Sequence, residues 1–131
     1  MQKQIRNLLN KEEWIVLNLK NASHQAKLYL EEIPKFAQKY KLEDSAELMD
    51  KANWFKQLFE YYRVDLIPAI QETAEMEKRH LDVFDKNPDP AFHPELEVEN
   101  HQHLTKQFLQ RFEGLHKEFE SFVSSIKNAN K

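Results

Sequence analysis

The chain of 131 residues carries 19 basic and 22 acidic side chains, six histidines and no cysteine, for a formal charge of −3. Leu, Ile, Val and Phe make up about 27% of it, enough for a packed core, and its length fits one domain spanning 1–131. A single glycine, Gly114, cannot supply the turns of an all-β domain, and the lack of cysteine excludes disulfides, thiolate metal sites and a cysteine nucleophile. The negative charge argues against a nucleic-acid partner, because phosphate binding needs a positive field. No apolar run exceeds the four residues from Trp14 to Leu17, so neither a signal peptide nor a membrane span is expected, and the cytoplasm is the expected location.

The first helix is expected over about 11–33. Asn10 followed by Glu13 has the spacing of a capping box, in which each side chain satisfies a free backbone N–H. Behind it Ile15, Leu19, Ala22, Ala26, Tyr29 and Ile33 recur at spacings of 4 and 3, one face of an α-helix. Ile5, Leu8 and Leu9 suggest a short helical lead-in, and Pro34 should end or kink the helix. The second helix is expected over about 44–86, with Asp44 or Ser45 as its N-cap. Its seam reads Leu48, Ala52, Phe55, Phe59, Tyr62, Leu66, Ala69, Thr73, Met76, His80 and Val83. Pro68 lies within that seam without loop residues around it, which predicts a kink and not a reversal.

Residues 87–94 hold three prolines and form a turn. The third helix is expected over about 95–127. Pro94 stands at its start, Glu95, Glu97 and Glu99 suit the positive end of its dipole, and its seam is His101, Leu104, Phe108, Phe112, Leu115, Phe119, Phe122 and Ile126. Two short turns between three long helices imply an all-α, antiparallel up-down bundle, which kinks at Pro34 and Pro68 would make look four-helical. Charge supports side-by-side packing of the first two helices: residues 1–42 carry +4 and residues 43–94 carry −6.

Chemistry is harder to find. There is no glycine-rich phosphate loop, nucleophile elbow or His-Glu-x-x-His, and no serine has a histidine at helical spacing, so an enzyme is not expected. Folding the second helix back about residue 42 and again about residue 90 defines two polar layers. One holds His80, His101 and Glu77, with Glu97 and His103 nearby. The other holds His116 and Glu113, with His24, Glu60 and Tyr62. Glu77-x-x-His80 and Glu113-x-x-His116 each put a carboxylate and an imidazole one turn apart on one face. Such sets suit iron, manganese or zinc. The competing account is structural: His80 hydrogen-bonds to Glu97 or His101, His116 borders the apolar face, and His24 and His93 are surface residues.

Residues 58–70, Leu-Phe-Glu-Tyr-Tyr-Arg-Val-Asp-Leu-Ile-Pro-Ala-Ile, resemble the second helix of hemerythrin-like proteins, in which an apolar-Pro-apolar ending follows a His and a Glu four residues apart. The resemblance implies a helical bundle around a di-iron centre. The His position is Leu58 here and the Glu position is Tyr62, so this helix lacks both ligands and the resemblance implies a relative without the metal. His24, His80 and His116 are spaced as ligands from the other helices.

The remaining signal is aromatic. Trp54, Leu58 and Tyr61 form a second stripe on the second helix, and Trp14 lies off the main seam of the first. A wide core face explains this, or a second buried surface does. The leading expectation is therefore a non-enzymatic helical bundle for protein–protein interaction or regulation, self-associating as a homodimer and needing no cofactor. The alternative is a His/Glu metal-binding bundle, and a third is a small-molecule pocket at the Pro68 kink.

Overall fold

The computed structural model describes residues 2–89, 91 and 94–130; His93 lies outside them. Helix α1 spans Gln2–Lys39 and is followed by a single 3-10 turn, Leu42–Asp44. Helix α2 (Ala46–Tyr61), a π-helical turn (Tyr62–Leu66) and helix α3 (Ile67–Lys86) run on as one rod, and helix α4 covers Glu95–Ala129. No strand occurs among the described residues. The protein is an all-α bundle of three long helices. Lys11 meets Glu99 and Tyr29 meets His116, at sequence separations of 88 and 87, so α1 and α4 run parallel, with the α2–α3 rod antiparallel to both. No helix among the described residues is long and apolar enough to cross a membrane.

Helix α1 is longer at both ends than its central seam suggests. It begins at Gln2, so Asn10 is an exposed interior residue and caps nothing. Burial explains the extension: Ile5 and Leu8 are 5% and 4% exposed, and tertiary contact outweighs a local cap signal. Pro34 lies inside the helix without ending it. Its ring is exposed, and beyond it Phe36 and Ala37 are buried in the core, which offsets the backbone bond the proline removes. Lys41 then reverses the chain in the left-handed region, at φ 52°, while Leu42 anchors the turn in the core. Ser45 is the N-cap of α2, its Oγ accepting from the Leu48 N–H at 3.3 Å.

The π turn changes the register of everything after it. Pro68 has no N–H, and its ring would collide with the carbonyl four residues back in an α-helix. Widening the preceding turn relieves this, and the Ile67 N–H reaches back five residues to the Tyr62 carbonyl. One extra residue in that turn moves the apolar seam by one position. Before it, Ala52, Phe55 and Phe59 are buried, on the face the periodicity predicts. After it, Ile67, Ala74 and Leu81 are buried and Ile70, Glu77 and Phe84 half-buried. The expected seam residues Ala69, Thr73, Met76, His80 and Val83 all face solvent. Helix α4 keeps its seam with two local changes. Thr105 and Val123 are buried, whereas Leu104 is exposed and Phe122 half-buried.

The core is aromatic through the middle of the bundle. Phe55 and Phe59 are fully buried and meet Phe119 at ring-centroid distances of 5.3 and 5.7 Å. Tyr29, Tyr62, Phe108 and Phe112 extend the same packing. A second, small cluster of Leu8, Leu81 and Val98 closes the end where α1 and α4 begin and α3 finishes.

Candidate metal centre

Between these two apolar regions each helix places one ionisable residue on its inward face. On α1 this is Glu12, between Leu8 and Ile15. On α3 it is Glu77, between Ala74 and Leu81. On α4 it is His101, between Val98 and Thr105. Helical spacing carries all three inward, because their neighbours three and four residues away are core residues. His101 Nδ1 lies 3.0 Å from Glu77 Oε2 and 3.8 Å from Glu12 Oε2. One ligand atom from each residue falls within 4.8 Å of the others, and this is the one such His/Asp/Glu trio among the described residues. Atoms about 2.1 Å from a shared ion lie roughly 3.0–3.5 Å apart, so the trio is close to coordination geometry.

The electrostatics are unbalanced. Glu12 is 1% exposed, and neither of its oxygens receives an N–H or O–H from the protein. Burial first, and then the facing Glu77, push its carboxyl up from 4.5 to about 9. As a neutral acid Glu12 is itself the donor, with the Glu77 carboxylate on that side as acceptor. His101 and Glu77 satisfy one another through Nδ1, but His101 Nε2 has no partner, and neither does the Thr105 hydroxyl one turn further along α4.

Of the residues singled out in the sequence, His101 and Glu77 come together. His80 does not join them: the π turn rotates it outward, where it lines a groove with Val83, Phe84 and Asn87. His116 sits in the other part of the bundle. The Tyr29 hydroxyl donates to its Nδ1, and its Nε2 lies 2.9 Å from Glu120 Oε1, while Glu113 is exposed. His24, Glu60, Glu97 and His103 are exposed as well. The hemerythrin-like spacing therefore does not gather His24, His80 and His116, and Leu58 and Tyr62 pack against the apolar core. Of the ring stripe, Trp54 and Tyr61 are 40% and 50% exposed, whereas Leu58 and Trp14 are half-buried against the core.

Glu12 and Thr105 escaped the sequence reading. Glu12 was findable: carried back through Leu8 and Ile5, the seam of the first helix passes through residue 12, a charged residue at a core position. Thr105 gives no such signal, since a helical threonine is usually satisfied by its own backbone. Compared with protein-family models, curated proteins and solved structures, the chain matches no family, no curated relative and no solved fold.

Proposed function

We propose that the protein binds one divalent transition-metal ion between α1, α3 and α4, with Glu12, Glu77 and His101 as its ligands. The observation that carries this reading is the buried Glu12, set on the inward face of α1 against Glu77 and His101. A structural hydrogen bond accounts for Glu77 and His101 as a pair. It leaves unexplained why a second carboxyl is buried against that pair, where burial and Glu77 hold it protonated far above its usual range. A cation supplies the missing partner and reverses the sign of the Glu12–Glu77 repulsion. Two carboxylates and one imidazole suit iron(II), manganese(II) or zinc, and three protein ligands leave at least one position for water or another ligand. Metal analysis of protein purified without a chelator tests this. One ion per chain is expected, with a higher Tm on metal addition and loss of both in Glu12→Gln. No stoichiometric ion, and no Tm change with zinc, manganese or iron(II), ends the reading.

A second reading rests on the rings that α2 presents to solvent. Trp54, Tyr61 and, beyond them, Val64 are 40–65% exposed, with Leu58 between them and Trp14 on α1 half-buried. Exposed Trp and Tyr favour protein contact, here self-association as a homodimer. Sedimentation across micromolar concentrations tests it: a mass that stays monomeric removes this reading and leaves the metal site untouched.

A further inference from the structure

The π turn that brings Glu77 inward leaves a repeat of α3 without a neighbour. Ala69, Thr73, Met76, His80 and Val83 keep the 4 and 3 spacing of a helix-packing seam, yet all five face solvent, Met76 and Val83 at 44% and 62% exposure. Apolar residues scattered singly are ordinary on a surface, whereas a repeat at packing spacing marks a surface for contact. The stripe runs for about 21 Å along α3. On its α4 side Leu104, 61% exposed, faces Ala69, Ile70 and Thr73 across a groove of about 300 Å³, so the apolar surface continues onto α4. Along its outer edge stand Glu72 and Arg79, seven residues apart. Asp65 and Lys86 lie one heptad further out at either end, acid beyond acid and base beyond base. All four are exposed, and none has an ion-pair partner among the described residues.

We propose that two copies of the chain pair through this stripe, α3 on α3, antiparallel about a two-fold axis. The charge row selects both the occupant and its direction. A surface that meets its own copy across a two-fold axis must complement itself. Antiparallel packing of a 4, 3 seam sets Ala69 of one copy against His80 of the other and Thr73 against Met76, a small side chain facing a larger one in each layer, and the axis repeats both layers. The same register sets Glu72 of one copy beside Arg79 of the other, twice, and brings each Lys86 toward the acidic end at Asp65. Parallel packing would place acidic end beside acidic end. A helix from another protein would need no such self-complementary row. Exposed ion pairs contribute little affinity and much direction, so the apolar layers hold the dimer and the charges set its register. The proposal is independent of the metal reading and uses neither Trp54 nor Tyr61.

Sedimentation equilibrium of the full chain, from micromolar to millimolar concentration, tests this. A monomer–dimer equilibrium is expected. Met76→Glu should weaken it about tenfold or more, because it buries a charge in the seam. Glu72→Arg and Arg79→Glu should each weaken it roughly threefold at low salt. All three positions are exposed, so the helicity of the dilute monomer should not change. Mixing the Glu72→Arg chain with the Arg79→Glu chain should restore the original affinity as a heterodimer, since one row is then all basic and the other all acidic. The chain has no cysteine, so an oxidised equal mixture of Ala69→Cys and His80→Cys reports direction: antiparallel copies give mostly the mixed disulfide, parallel copies the two like disulfides. A strict monomer overturns the proposal, together with association through the α2 rings. A dimer that survives Met76→Glu but is lost in Trp54→Ala overturns it alone and favours those rings. No recovery on mixing, or like disulfides only, overturns it as well.

Discussion

The middle of the bundle and the layer near the α4 N-terminus are built on the same three inward-facing stripes, and both are almost closed to water. Around Phe55, Phe59 and Phe119 the core is aromatic and aliphatic, rings meet at 5–6 Å, and the polar tip of Tyr29 is paired with His116 at its border. One end of the same stripes holds Glu12, Glu77 and His101, flanked on the outside by Leu8, Leu81 and Val98. Burial stabilises the first region through transfer of apolar surface and penalises the second through lost hydration of charge. Equal burial with opposite energetic sign marks the polar layer as the place where the chain gives up stability, and a ligand for that layer is the physical reason to do so.

The largest expected break in this contrast is Phe59→Ala. It removes a fully buried ring from the middle and should cost about 3–5 kcal/mol in denaturant unfolding. Glu12→Leu should act in the opposite direction. In metal-free protein at neutral pH it should stabilise by about 1–4 kcal/mol while abolishing metal binding. A loss of stability there would make the layer structural after all. The pH dependence sharpens the same point. Glu12 is raised from 4.5 to about 9 in the folded chain, so the folded state holds its proton over a window where the unfolded state has released it. Its contribution is complete below pH 4.5 and is lost as pH rises toward 9. Unfolding free energy of metal-free protein, measured relative to Glu12→Gln, should therefore fall across that window, and saturating zinc should flatten the fall.

Smaller effects mark backbone positions outside both regions. Gly114 lies inside α4, and an added Cβ meets nothing within 4 Å, so Gly114→Ala should stabilise by about 1 kcal/mol. Lys41 holds a left-handed conformation in an exposed turn, and Lys41→Gly should stabilise by about 0.5–1 kcal/mol in the same assay. Neither substitution should move metal affinity.

Much of the architecture was legible because a helix in a bundle must repeat its apolar residues at spacings of 3 and 4. The three rods, Ser45 as a possible cap and the inward faces of α1 and α4 follow from that rule. Two of the three candidate ligands are legible too: counting back from the turns places Glu77 and His101 in one layer. The counting paired them with His80, because it assumed an unbroken α-helical period through residue 68. It also set residue 80 level with about residue 4 of the first helix. In the folded chain the turn through Leu42–Asp44 moves the pivot along, and Glu12 comes level with Glu77.

Composition and periodicity by themselves determine that this chain is helical, that its helices pack in a bundle, and that rings fill its centre. Those properties depend on residues a few positions apart, which the order of side chains specifies directly. Tertiary structure alone decides which carboxylates and imidazoles meet. A π turn with one extra residue ahead of Pro68 turns His80 to solvent and Glu77 to the interior, and the turn through Leu42–Asp44 sets Glu12 level with it. The reason is geometric: one residue is about 100° of rotation on a helix, so a single widened turn selects a different set of inward groups without altering any local preference.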